Sequence, residues 1–344
     1  MHLIDQQLNL MLRGNFKEAW EISEKLEETM PNDYRHMFNR GWFLLQQGKY
    51  QEGFQSLEAG RFLSVYGSPR LNTDKPIWNP KNSLVNKTVI INMEGGYGDC
   101  IIHIRFANEI KKRGGKAIIC CHPSLNCLFE RVIGVYKCIS IHDIKRTPHD
   151  YWIPSFSCSW LFGHEYETIP NEPYIIPKRE SIDIWKTFLQ TDKKLKVGIR
   201  WSGSPKFEHQ QFRIFSADNL INLYKDYNDI EFYSLQRDDD IRELPSNIRD
   251  LENFLLSWED TAAAIENMDL IITSCTSIAH LSAAMGKKTW VIVPLLPYHV
   301  WAYGGDHSPW YPKTTKVYRQ TNFESWKEPF DLIRKDLYNE LENV

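Results

Sequence analysis

Two short segments of this 344-residue chain place polar side chains where the backbone can approach a substrate. The first is Glu94-Gly95-Gly96-Tyr97-Gly98-Asp99, lying between an apolar run and an amphipathic one. Gly95, Gly96 and Gly98 let backbone N–H groups approach an anion at a helix N-terminus. Asp99 follows at once, where a carboxylate can take a proton from a substrate hydroxyl. Aspartate is equally at home as a helix cap, and the motif alone does not choose. Tyr97, inside the turn, offers a ring and a hydroxyl to a bound ligand. The second segment is Ser274-Cys275-Thr276-Ser277-Ile278-Ala279-His280. A strand pattern ends at Ser274 and a helix pattern starts immediately. The free N–H groups of that helix start, its dipole, and the hydroxyls of Thr276 and Ser277 suit a diphosphate. His280, one turn in, can reach the same anion or serve in the core. Trp201-Ser202-Gly203-Ser204-Pro205 leaves another strand as a polar turn, and Lys206, His209 and Arg213 add positive charge after it. An ordinary capped helix and a solvated loop are the plain alternatives for these two stretches.

Rival chemistries fit less well. A nicotinamide-dinucleotide site wants GxGxxG and an acid at the end of the second strand. Here the turn reads GGxGD, and the second strand ends Cys121-His122-Pro123. No GxxxxGK[ST] phosphate loop occurs. The seven cysteines are odd in number and form no CxxC pair, so neither a disulfide framework nor a structural zinc site is expected. Reduced thiols, together with a start that lacks a basic n-region, point to a cytoplasmic protein without a signal peptide. No run of eighteen apolar residues predicts a membrane span.

The elements that position these segments alternate. Strand patterns cover 88–93, 116–122 and 136–141, with helical periodicity over 100–112 and 123–134 between them. A second series runs 195–201, 216–227, 230–236, 258–268, 269–274, 275–286 and 287–294, and a closing helix spans about 326–342. Such alternation predicts an α/β protein with two Rossmann-like domains, at 87–180 and 195–325, facing a cleft. Ligands of parallel sheets bind at the carboxyl ends of the strands. In front of these domains, Gly14-Asn15-Phe16 and Gly48-Lys49-Tyr50 repeat at an offset of 34 residues, the period of a tetratricopeptide (TPR) helix pair. Residues 1–70 therefore read as an α-helical TPR-like module, with Gly53 and Gly60 where the repeat expects alanine. Residues 71–86 read as a linker. The formal charge is −3, with 41 Lys and Arg against 44 Asp and Glu, which is not the footprint of a protein that wraps nucleic acid.

From about 88 to 320 the chain resembles the heptosyltransferase-like glycosyltransferases (glycosyltransferase family 9), in the form that carries TPR repeats in front. The resemblance rests on EGGYGD, DYWIPSFSCSWLFG, VGIRWSGSP, FYSLQ, WEDTAAAIENMDLIITSCTSIAHLSAAMGKKTWVIVP and HSPWYP, in that order. It implies the GT-B fold, with the last helix, 326–344, crossing back. It also implies inverting transfer of a sugar from a nucleotide sugar to an acceptor hydroxyl, without cofactor or obligatory metal. Asp238-Asp239-Asp240 contains a DxD pattern but reads as a solvated loop. By this resemblance Asp99 is the base, and the helix start at Thr276 and Ser277 holds the departing diphosphate. Ser202 and Arg213 assist, and Gln236 lies near the nucleotide's base or ribose. Cys275 stands where the family's TxDTxxAH segment has an aspartate, which opens a second reading as a catalytically degenerate scaffold. His299, Trp301, Trp310 and Tyr311 offer aromatic faces to sugar and base rings, or pack the core. The acceptor is a glycan, a protein side chain or a modified nucleic-acid base, and the TPR-like repeats position it or a protein partner.

Overall fold

The computed structural model describes residues 2–67, 71–203, 213, 215–237 and 244–343. The chain divides into two compact units, Met1–Ile175 and Ile176–Val344. Among the described residues, no helix is long and apolar enough to cross a membrane.

The first unit opens with four helices: α1 (Leu3–Leu12), α2 (Phe16–Thr29), α3 (Tyr34–Gln46) and α4 (Tyr50–Leu57). Apolar positions at helical spacing, among them Ile4, Met11, Ile22, Leu26, Phe43, Leu44, Phe54 and Leu57, are buried between them. Asp33 caps α3 by accepting from the backbone N–H groups of Arg35 (2.9 Å) and His36 (3.2 Å). Glycine at 53 has a packing reason: a Cβ there would lie 2.7 Å from Leu45 of the neighbouring helix. At Gly60 it would lie 2.8 Å from the Phe38 ring.

A four-stranded parallel sheet follows, in the order β3-β2-β1-β4: β1 (Thr88–Asn92), β2 (Lys116–Cys120), β3 (Val135–Ile139) and β4 (Tyr151–Pro154). Val89, Ile90 and Ile91 are all fully buried, as expected of a parallel strand covered on both faces. Between the strands lie α5 (Tyr97–His103), α6 (Ala107–Lys112) and the short α7 (Asn126–Phe129), and α8 (Cys158–Leu161) follows β4. The expected single helix over 123–134 shrinks to a 3-10 turn and α7. The stretch 71–86 is docked rather than free. Ile77 bridges to Trp152, Trp152 Nε1 donates to the Lys75 carbonyl at 3.0 Å, and Leu71, Trp78 and Leu84 are buried.

The second unit begins with α9 (Arg179–Phe188), which the proline-rich sequence before it obscures. Its six parallel strands are β5 (Leu195–Arg200), β6 (Ile230–Ser234), β7 (Ile248–Asp250), β8 (Leu270–Ser274), β9 (Thr289–Val293) and β10 (Thr315–Arg319), ordered β10-β9-β8-β5-β6-β7. Among the described residues, short α10 (Asp218–Ile221), α11 (Trp258–Glu266), α12 (Ser277–Ala284) and α13 (Lys327–Glu342) accompany the strands. The helix expected over 216–227 is α10 plus a 3-10 stretch. α13 buries Phe330, Ile333 and Leu337 in the core of the second unit, with Leu220 and Ile292.

Candidate functional site

Strand order singles out one place in each sheet. In the first unit the chain runs outward from β1 through β2 to β3, then returns to the other side of β1 as β4. In the second it runs from β5 through β6 to β7, then returns beside β5 as β8. At such a reversal the connections leave in opposite directions and open a crevice at the strands' carboxyl ends. The glycine turn leaves β1 at the first crevice. Segments 201–203 and 275–277 leave β5 and β8 at the second.

In the first unit the turn is held by its own residues and by the helices before it. Gly95 has φ +75°, and its N–H donates to the Tyr66 carbonyl at 2.8 Å. The Gly96 N–H donates to Asp99 Oδ2 at 2.7 Å, so half-buried Asp99 reaches back from the third residue of α5 to its start. Two amides expected to await an anion are thus already used within the protein. A Cβ on Gly95 would sit 2.4 Å from the same carboxylate oxygen, which is why glycine is required there. Asp99 is both a helix-capping group and a carboxylate of fixed orientation. Gly98 is the second residue of α5. Tyr97 is exposed and meets the His122 ring edge-on at 5.6 Å. His122 was not singled out in the sequence; its only signal is its position just beyond β2. Behind the turn, His103 is buried and donates through Nδ1 to the Asp99 carbonyl at 2.8 Å. Burial pushes its imidazole down to about 3.

In the second unit several of the expected residues converge. Ser202 and Gln236 pair reciprocally: Gln236 Nε2 donates to Ser202 Oγ at 2.8 Å and Gln236 Oε1 accepts from the Ser202 N–H at 3.2 Å. Arg200 ties both turns, donating through Nε to the Ser202 carbonyl (3.0 Å) and through NH1 to the Leu235 carbonyl (2.9 Å). Its signal in the sequence is a cation on the last residue of a buried strand. Arg213 NH1 donates to the Cys275 carbonyl at 3.3 Å. A Cβ on Gly203 would lie 3.1 Å from Thr276 and 3.4 Å from Arg213 NH2, so all three surround one point. Thr276 is the N-cap of α12, yet its side chain makes no capping hydrogen bond and contacts Thr273 Oγ1 at 3.3 Å instead. The first turn of α12 therefore keeps its dipole end without a side-chain cap, with half-buried Ser277 leading it. Ser204, Lys206 and His209 lie outside the described residues, as does Asp238-Asp239-Asp240.

For His280, His299 and Trp301 the sequence leaves ligand contact and core packing open, and the structure packs all three in the interior. His280 is buried, its ring stacked on Trp301 at 5.2 Å and 14° and tilted against Tyr311 at 6.2 Å. Trp301 is fully buried and His299 is 1% exposed, so neither presents a face to a sugar ring. Trp310 and Tyr311 are buried with them. Cys275 Sγ accepts from Trp301 Nε1 at 3.1 Å, which fixes the cysteine in this aromatic packing. Among the described residues, no group of three or more His, Cys, Asp or Glu side chains is arranged to hold a metal ion.

No family model matches the chain, and no curated protein matches it. Solved structures do. A family 9 glycosyltransferase from Veillonella parvula aligns over 75% of this chain and 90% of its own, with TM-score 0.53 and 11% identity. ADP-heptose LPS heptosyltransferase II of E. coli aligns over 74% and 99%, with TM-score 0.53 and 10% identity. The dodecameric iron-containing heptosyltransferase TibC, in complex with ADP-D-β-D-heptose, aligns over 76% and 78%, with TM-score 0.51 and 11% identity. The fold is that of these glycosyltransferases. At 10–11% identity the likeness is one of architecture: two parallel sheets of the GT-B type.

Proposed function

We propose that the protein is an inverting, metal-independent glycosyltransferase that moves a sugar from a nucleotide-diphosphate sugar to an acceptor hydroxyl. The observation that carries this reading is the convergence of Ser202, Gln236, Arg213 and Thr276 at the β5/β8 reversal, in front of an α12 N-terminus that Thr276 leaves uncapped. A diphosphate fits there because the first-turn N–H groups and the Arg213 guanidinium supply donors and positive potential without a metal. The Ser202–Gln236 pair then sits beside the nucleoside. In the first unit, Asp99 takes the proton of the acceptor hydroxyl as its oxygen attacks the anomeric carbon. The bond from that carbon to the diphosphate breaks, the nucleoside diphosphate leaves with the electron pair, and the anomeric configuration inverts. The helix end stabilises the charge that develops on the leaving group. The four N-terminal helices are read as a TPR-like module.

Heptosyltransferase II is named for ADP-heptose and TibC was solved with ADP-D-β-D-heptose, so ADP-sugars are the first donors to test. One observation favours the second reading, a scaffold that binds a nucleotide without turnover: Cys275 stands in the family's aspartate position and is committed to Trp301. The two separate in one experiment. The protein is incubated with a panel of nucleotide sugars and acceptors while nucleoside diphosphate release and thermal shift are followed. Glycosyl transfer is expected, and Asp99→Asn lowers its rate by at least about a hundredfold, the scale of a general base. Full rate in Asp99→Asn overturns the base assignment. Thermal shift without turnover by the wild type favours the scaffold.

A further inference from the structure

The helical module contacts the turns at the β1/β4 reversal. The last turn of the helical module, Glu58–Arg61, and Tyr66 beyond it reach into this end of the first sheet. Arg61 NH2 donates to Glu94 Oε2 at 2.8 Å and to Ser157 Oγ at 3.1 Å, and NH1 pairs with Glu58 Oε2 at 2.8 Å. Glu94, the first residue of the glycine turn, has a side chain only 5% exposed and also accepts from the Phe156 N–H at 3.2 Å. Ser155 Oγ accepts from the Glu94 N–H at 3.0 Å, so the turn after β1 is tied to the turn after β4. Glu58 Oε1 accepts from Ser157 Oγ (2.8 Å) and from Trp160 Nε1 (3.0 Å). Tyr66 completes the grip. Its ring stacks on Phe156 at 4.1 Å, its carbonyl takes the Gly95 N–H, and Arg61 lies over its ring at 5.3 Å. One guanidinium thus answers two carboxylates, one of them buried.

We propose that Arg61 is a positioning residue for the candidate base: through Glu94 and Tyr66 the helical module sets the turn from which Asp99 reaches back to Gly96. The inference rests on the reading of Asp99 as base, and it gives the module a task inside the site in addition to any partner it binds. Removing Arg61 alone leaves Glu94 buried without its counter-charge, which is costlier than removing both charges. The turn then shifts to rehydrate the carboxylate, and a displacement of about 1 Å at a reacting group is enough for a large loss of rate.

The test uses the full chain and four variants: Arg61→Met, Arg61→Lys, Glu94→Gln and the double variant Arg61→Met with Glu94→Gln. Hydrogen exchange is measured on peptides covering 93–103 and 270–284. With a working donor and acceptor, kcat and donor KM are measured as well. Arg61→Met is expected to speed exchange in 93–103 but not in 270–284. It should also lower kcat by about tenfold or more while donor KM stays within about twofold. Arg61→Lys recovers part of the rate, and the double variant exceeds Arg61→Met alone. Unchanged exchange in 93–103, or kcat within about twofold of wild type, overturns the proposal. So does an equal loss in both peptides, which marks general unfolding. If the wild type transfers no sugar, the enzymatic reading fails while the exchange arm still decides whether Arg61 holds the turn.

Discussion

At Gly95 a single hydrogen in place of a methyl group decides where a carboxylate can lie. The residue has φ +75°, and its Cβ would overlap Asp99 Oδ2 at 2.4 Å, whereas a Cβ on the adjacent Gly96 would meet that oxygen at an ordinary 3.7 Å. Gly95→Ala therefore meets both backbone strain of about 1–2 kcal/mol and a clash that drives Asp99 off the Gly96 N–H. Gly96→Ala meets neither. Urea unfolding should show the Gly95 variant less stable than the Gly96 variant by at least about 1 kcal/mol, and equal midpoints would remove the stated reason for the glycine. At this scale the sequence was a partial guide. The types in EGGYGD announced a turn with a carboxylate, and Ser202, Gln236, Arg213 and Thr276 do converge. Burial was not legible: a histidine or tryptophan can face a ligand or fill a core. His280, His299 and Trp301 are core residues because three aromatic segments fold onto one another. Arg200 escaped notice because its work is to hold carbonyls that become neighbours only once β5 and β6 pair.

The short α5 carries Asp99 at its start and His103 at its end, and its inner face couples the turn to protons. His103 is fully buried, and burial lowers its pKa from an ordinary 6.5 to about 3, so the folded protein holds it neutral while the unfolded chain protonates it near 6.5. The folded state therefore has the full benefit of this neutral ring above about pH 6.5 and loses it progressively as the pH falls towards 3. The loss approaches about 1.4 kcal/mol per pH unit from this residue. Replacing His103 with Gln should flatten the decline of unfolding free energy between pH 7 and pH 5 by up to that slope, and an unchanged slope would put the acid sensitivity elsewhere. Elements with long apolar runs, such as β1, β5, β8 and β9, were readable because parallel strands buried on both faces leave continuous aliphatic stretches. β4, β7 and β10 were missed. β7 is three residues long, β4 ends on Pro154, and β10 mixes charge with apolar side chains in TKVYR. For these three, pairing with a neighbour supplies what local pattern does not.

At the scale of the whole chain, the sequence suggests three parts and a linker, whereas contacts join the helical module and the first sheet into one unit, Met1–Ile175. The reason is chemical. α4 and the turn after it face the sheet's connections with groups that need partners: Gln51 donates to the His164 carbonyl, and Tyr166 donates to the Leu45 carbonyl at 3.1 Å. Tyr50 meets Tyr166 edge-on at 5.0 Å, and the Arg61–Glu94 pair is buried on its acidic side. A helix pair that ended in water would expose these rings and leave Glu94 without its cation. Composition cannot reveal this, because 1–66 has the periodicity of a repeat whether or not its last helix is covered. The expected consequence can be checked by cutting the chain. Gly67, beyond the helical module, is exposed, and a protease site is inserted after it. After complete cleavage, the helical fragment should co-elute with the remainder in native size exclusion and separate only in denaturant, since the buried ion pair and stacked aromatics persist without the peptide bond. A freely departing fragment would mean that the module is an appendage, and with it would go the argument that these helices hold the turn bearing Asp99.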